Sequence, residues 1–198
     1  MSLMVQSRNM KEFLRAVWRW IKWPLLVLLV LALVFIVLLF WRMQVLAGDE
    51  QTKEDVARIH ATKLTWSDIN GTLPTEPDPT ENNATLAGVD SNNNGIRDDV
   101  ERAIYAKYKD NKRVAIAALQ YAKELQMEFT EVRNSETLVA VIQEEGRGYS
   151  CVNDDKKIKE IESLVLNTNS RYQFGENIRR KYMVSYGLSN GEDCDIIF

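Results

Sequence analysis

The twelve residues from Asp90 to Glu101, DSNNNGIRDDVE, place oxygen-bearing side chains at regular intervals. Asp90, Asn92 and Asn94 stand at positions one, three and five, Gly95 at six, Asp98 at nine and Glu101 at twelve. This fills every position of D-x-[DN]-x-[DN]-G-x5-E, the spacing of a calcium loop that runs into a helix. The chemistry needs these types because calcium takes about six to eight hard oxygen ligands. A tight loop turns alternate side chains inward, and a glutamate on the first turn of the next helix closes the shell with both oxygens. Gly95 supplies the backbone freedom for the sharp turn. The expected ligands are the side chains of Asp90, Asn92, Asn94, Asp98 and Glu101 and the carbonyl of Ile96, and the expected cofactor is Ca2+.

Two features set this loop apart from a complete EF-hand. The preceding ENNATLAGV is too short and too polar to be an entering helix, and position eight, an aliphatic residue where two loops pair, is Arg97. The stretch therefore resembles the solitary, EF-hand-like loops of thrombospondin type 3 repeats and dockerins. That resemblance implies an ion that holds structure and does not report a signal. Two of the three early ligands are neutral asparagines, so affinity is expected in the weak extracellular range of roughly 10⁻⁴ to 10⁻³ M. The longer run LPTEPDP…LAGVDSNNNGIRDDVERAIYAKY, with LNT before the last helix, is similar to an uncharacterised family of exported, membrane-anchored Gram-negative bacterial proteins. It brings no activity with it.

No constellation for catalysis accompanies the loop. There is one histidine, His60, no serine in a nucleophile-elbow setting and no glycine-rich phosphate loop. Glu144 and Glu145 are adjacent, so on a helix they point about 100° apart and make no working pair by themselves. No catalytic residue is assigned, and the chain is expected not to be an enzyme.

The elements that must position the loop begin with a membrane segment. From Pro24 to Trp41, PLLVLLVLALVFIVLLFW contains no charged residue, and its length as a helix, roughly 27 Å, matches a bilayer's hydrocarbon thickness. Before it lie Arg8, Lys11, Arg15, Arg19 and Lys22 against the single acid Glu12; the other 20 of the 25 basic and 27 of the 28 acidic residues follow it. The positive-inside rule puts the N-terminus in the cytoplasm, with the remainder in the periplasm of a bacterial inner-membrane protein. Trp18, Trp20, Trp23 and Trp41 sit at the two ends of the run, where indoles prefer the interface. Val45 and Ala47 satisfy a small-residue cleavage rule before Gly48, so cleavage after Ala47 stays open. The run is nonetheless longer than a signal-peptide core, and an uncleaved single-pass anchor is expected. The acidic outer part argues against nucleic acid as a partner.

Two cysteines, Cys151 and Cys194, fall on the outer side. In an oxidising compartment they are most simply one disulfide. Closing a loop of that length is worth on the order of 4 kcal/mol in the chain-entropy model.

The expected organisation is mainly α. A cytoplasmic basic segment, 1–23, with Phe13, Val17 and Trp20 on one face, leads into the transmembrane helix, 24–41. A stalk helix, 42–63, is capped at Thr52, and its narrow apolar stripe holds Val56 and Ile59. Residues 64–89 hold three of the four prolines and read as an extended connector, docked through Trp66, Leu73 and Leu86. Residues 90–198 form a small antiparallel helical domain containing the calcium loop. Its helices are expected from Arg97 to Tyr108, from a cap at Asp110 to Val132, from Asn134 or Ser135 to Gly146 and Gly148, from Asn153 or Asp154, and from Ser170 to Gly187. Three functions are compatible with this: an interaction protein that binds another envelope component, an immunity or inhibitor protein against an envelope-acting toxin or hydrolase, or a hydrolase whose carboxylates converge only in the fold.

Overall fold

A computed structural model describes the backbone of residues 2–189 and 191–196, and the side chains of residues 18–69, 71–189 and 191–196. The structure is mainly helical, with one long apolar N-terminal helix, and every regular element among the described residues is a helix. The chain divides into two compact units, Met1–Gln51 and Thr52–Phe198.

Helix α1, Ser2–Ala61, supplies the whole of the first unit. Its most apolar stretch has a mean hydropathy of 3.1, and none of it is buried, as suits a helix whose surroundings are lipid tails. Pro24 lies inside α1 and does not open it. The side chains of Phe13 and Val17, expected on an amphipathic face, lie outside the described residues.

The last turns of α1 belong to the second unit, and here the expected stalk differs. The helix does not restart at Thr52; it continues through it to Ala61. Thr52 is no cap, and its hydroxyl accepts a hydrogen bond from Asn134 Nδ2 at 2.9 Å. Val56 and Ile59 are not a free stripe. Ile59 is fully buried against Met127, Ala140 and Val141, with Val56 packed beside it.

The connector contains two short helices that proline content concealed, α2 (Trp66–Asn70) and α3 (Pro79–Asn82). Asp78 caps α3 by accepting from the amides of Thr80 and Glu81, and Pro79 at the first position needs no donor of its own. The docking points also change. Trp66 and Leu73 are exposed and Leu86 half-buried, whereas Leu64, Pro74 and Asn82 are the buried anchors.

Helix α4 (Asp98–Tyr108) follows the loop, then α5 (Lys112–Thr130), α6 (Ser135–Val152), α7 (Asp155–Val165) and α8 (Asn169–Tyr182). Helix α5 is the centre, packed by α4, α6, α7 and α8. Alanines 115, 117, 118 and 122 keep its girth small, so neighbours approach it on every side. Ala118, Tyr121 and Leu125 on one face of α5 are buried, with Val114 and Phe129 half-buried, but the opposite, polar face is buried as well. Gln126 donates to the Ala87 carbonyl, Lys123 to that of Lys63, and Gln120 to that of Asp193, so α5 holds both the connector and the C-terminal tail.

Several helix ends move from their expected places. Asn111, not Asp110, caps α5 by accepting from the Val114 amide. Thr168 caps α8 in place of Ser170, and α8 stops at Tyr182, ahead of Gly187. Helix α6 runs through Gly146 and Gly148 to Val152. Gly148 is a packing glycine: a Cβ there would stand 1.8 Å from Glu124 Oε2 and 3.0 Å from the Tyr121 Cα. Cys151 at the end of α6 and Cys194 in the tail are joined at disulfide distance, their Cα atoms 5.0 Å apart.

Candidate metal centre

The loop from Asp90 to Glu101 is organised by its own side chains. Asp90 accepts on both oxygens, Oδ1 from the Asn94 amide at 3.2 Å and Oδ2 from the Gly95 amide at 2.8 Å. Asn92 Oδ1 accepts from the same Asn94 amide, and Asn94 Oδ1 from that of Ile96. These bonds bend the chain through left-handed conformations at Asn93 (φ 55°) and Gly95 (φ 83°), which asparagine and glycine adopt most readily.

The loop closes on the start of α4. The Asp98 amide donates to the Val89 carbonyl at 2.8 Å, and Asp98 Oδ1 accepts from the Ser91 amide at 3.0 Å. Asn92 and Asn94 each donate through Nδ2 to Glu101 Oε2, at 3.2 and 3.0 Å. Asp90, Asn92, Asn94 and Glu101 thus form one bonded group, with Asp98 beside it and Asn94, Asp98 and Glu101 buried. The Ile96 side chain packs into the core.

The electrostatics are one-sided. Burial pushes the Asp90 carboxyl up from its ordinary value, opposed by the Gly95 and Asn94 amides and reinforced by Asp98. Burial likewise raises Glu101, where the Asn94 and Asn92 amides oppose and the charges of Asp98 and Asp90 reinforce. Basic residues lie close by, yet each pairs elsewhere: Arg97 with Asp99, Arg102 with Glu76, Lys123 with Asp68. Among the described residues no ion pair reaches Asp90, Asp98 or Glu101.

The ligand set is only partly drawn together. Among the described residues no group of three or more His, Cys, Asp or Glu side chains is gathered tightly enough to hold a metal ion. Here two of the five side chains are amides, and both aim nitrogen at Glu101. Ligation through oxygen therefore requires Asn92 and Asn94 to rotate their amides, because an NH2 group has no lone pair to give.

Arg97, the residue that departs from the paired-loop pattern, has a structural reason. It is fully buried, and its guanidinium donates to the carbonyls of Leu164 at 2.9 Å and Val165 at 3.2 Å. These are carbonyls at the C-terminal end of α7, where a cation also complements the helix dipole. The loop is thereby tied to α7.

A second polar centre escaped the sequence. Glu144, buried on α6, is bonded to His60 Nδ1 at 2.7 Å, Lys63 Nζ at 2.5 Å and Arg147 Nη1 at 2.5 Å, and Arg147 reaches Asp195 at 2.8 Å. The solitary histidine is half-buried and partnered. Glu145, next in sequence, points to Glu128 and Arg179. The adjacent acids serve different neighbours, as their angular separation on a helix demands. The available signal was an acidic pair following the apolar run Leu138–Ile142.

No protein-family model, curated protein or solved structure matches this chain. The likeness to solitary calcium loops and to exported bacterial proteins rests on the motif residues alone.

Proposed function

We propose that this chain is a single-pass inner-membrane protein, N-terminus in the cytoplasm, that displays a calcium-stapled helical domain in the periplasm and binds another envelope component there. The observation that carries the calcium reading is the uncompensated charge of the loop. Asp90, Asp98 and Glu101 sit together on a short, self-closing turn while Arg97, Arg102 and Lys123 all pair elsewhere. Burying carboxylates without a counter-charge is costly, and a divalent cation is the counter-charge that this spacing of oxygens suits. Asp90, Asn92, Asn94, Asp98 and Glu101 would hold it through side chains and Ile96 through its carbonyl. Bound calcium would offset two of the turn's three negative charges. The chain's own residues then do the stapling, with Arg97 tying the loop to α7 and the Asp98 amide tying it to Val89.

The membrane placement is supported by the apolar stretch of α1, the basic residues before it and the tryptophans at its ends. The Cys151–Cys194 pair suits an oxidising compartment. Support for a partner comes from the exposed apolar residues Met183, Val184, Tyr186 and Leu188, the last 80% exposed. Val184 also lines a groove of about 770 Å³ whose walls include Val56, Val139 and Ala140.

The test is thermal unfolding of the full chain in detergent micelles, with chelator and with millimolar calcium. The expected result is a higher Tm with calcium and no such rise in Asp90→Ala. The absence of a shift in the unmutated chain would remove the calcium site.

A further inference from the structure

Beneath the surface, two helices bring acids together and a third adds a cation. Glu124 and Glu128 lie one turn apart on α5, Glu145 comes from α6, and Arg179 comes from α8. Glu128 is fully buried and Glu124 is 3% exposed. Each of the three acids has one buried oxygen without a hydrogen-bond donor: Glu124 Oε2, Glu128 Oε2 and Glu145 Oε1. Glu128 and Glu145 are within hydrogen-bonding reach of one another. Arg179 pairs with Glu128 Oε1 and lies 3.6 Å from Glu145 Oε2, while the charges of Arg147, Asp195 and Glu144 act on Glu124.

Among the described residues no second ion pair reaches Glu128 or Glu145. From α5 come Glu124 and Tyr121, whose hydroxyl donates to Glu162 of α7 at 3.0 Å; from α8 come Glu176 and Arg179. Helix backbone closes the remaining sides, for a Cβ on Gly175 would stand 3.0 Å from Glu128 Oε2 and one on Gly148 would overlap Glu124. Two ionised carboxylates facing one another in so dry a place repel, and one guanidinium offsets only one of them. A single proton removes the conflict, because it turns one bare acceptor into the donor that the other lacks.

We infer that Glu145 and Glu128 share one proton at neutral pH, with Glu145 donating its O–H to a Glu128 carboxylate clamped by Arg179, and that this acid pair makes the packing of α5 against α6 weaken as pH rises. Burial holds both groups above the ordinary carboxylate range, and the charge of Glu128 adds to the rise at Glu145. The sign follows from linkage. A carboxyl raised in the folded state makes the fold take up protons, so its contribution is complete below the unfolded value near 4.3 and is lost as pH rises through the folded value. The direction is opposite to that of a salt-bridged acid. It is also independent of the Asp90 loop, so a failure of the calcium reading leaves this inference standing.

The experiment is infrared spectroscopy of the full chain in micelles at neutral pH, with chelator present, followed by unfolding across pH. Glu145→Gln mimics the protonated acid, and it should remove part of the carbonyl band of protonated carboxylic acids. The variant should match the unmutated chain near pH 4 and lack one linked proton above it, so that its folding constant falls about tenfold less per pH unit as pH rises toward the folded value. Glu128→Gln should remove the same proton but lower stability at every pH, since it strips Arg179 of its partner. An infrared band unaltered in both variants, or an unchanged slope above about pH 4.3 in Glu145→Gln, overturns the inference.

Discussion

Arg171 Nη2 donates to the main-chain carbonyl of Asn82 at 2.7 Å, linking α8 to the connector across 89 positions of sequence. The same buried guanidinium donates to the carbonyls of Leu86 and Thr85 and to the side chains of Asn83 and Asn167. No carboxylate is among these partners. Burial and the nearby charge of Arg97 both push its pKa down, so the five donor contacts are what hold the charge there.

Arg171→Lys is therefore not conservative. An ammonium keeps the charge but cannot serve a fan of carbonyls with a rigid fork, and several buried acceptors are left bare. The expected loss is about 2–4 kcal/mol, measured by chemical unfolding of the full chain in micelles followed by near-ultraviolet circular dichroism. A loss below half a kcal/mol would show that water replaces the fork.

Gly146 and Gly148 sit in the same helix and should respond with opposite signs. A Cβ at Gly146 meets nothing within 4 Å, so Gly146→Ala should stabilise by about 0.5–1 kcal/mol through helix propensity. Gly148→Ala would drive a methyl into Glu124 and the α5 backbone, and should cost about 1–3 kcal/mol or more by overpacking. Thermal unfolding of the two variants side by side checks the contrast. Equal effects would mean that α6 does not press on α5 at Gly148.

Glu144 supplies the acid-side pH dependence. Its burial raises the carboxyl, but the hydrogen bonds from His60, Lys63 and Arg147 and the charge of Lys63 outweigh this, and the net shift is downward. A lowered carboxyl stabilises the fold above its unfolded value near 4.3, and that contribution is lost as pH falls through the folded value. Glu144→Gln should lower stability at neutral pH and flatten the decline between about pH 5 and 3. A decline as steep as in the unmutated chain would assign the acid sensitivity to other carboxyls.

The features legible in the chain itself were those written within a few residues of one another. The apolar run of α1 needs only its own composition, because each residue meets solvent or lipid separately. The turn at Asp90–Gly95 is fixed by Asx side chains bonding amides two to five positions on, and by glycine's tolerance of positive φ. Helix faces such as Ile158, Ile161 and Val165 follow from spacing, and they are buried. Local chemistry misled where proline and glycine were read as breaks, for Pro79 opens a helix and Gly148 lies inside one because α5 passes against it; it also misplaced caps by a residue or two, at Asp110 for Asn111 and Ser170 for Thr168.

Tertiary structure decided the rest, for a physical reason. A buried polar group needs a partner, and the partners here come from distant parts of the chain. Arg97 finds carbonyls at Leu164 and Val165, Glu144 finds His60, Gln120 finds Asp193, and Glu128 finds Arg179. Periodicity marks such residues as solvent-facing because it sees one helix at a time. Only the packing of four helices around α5 turns its polar face inward.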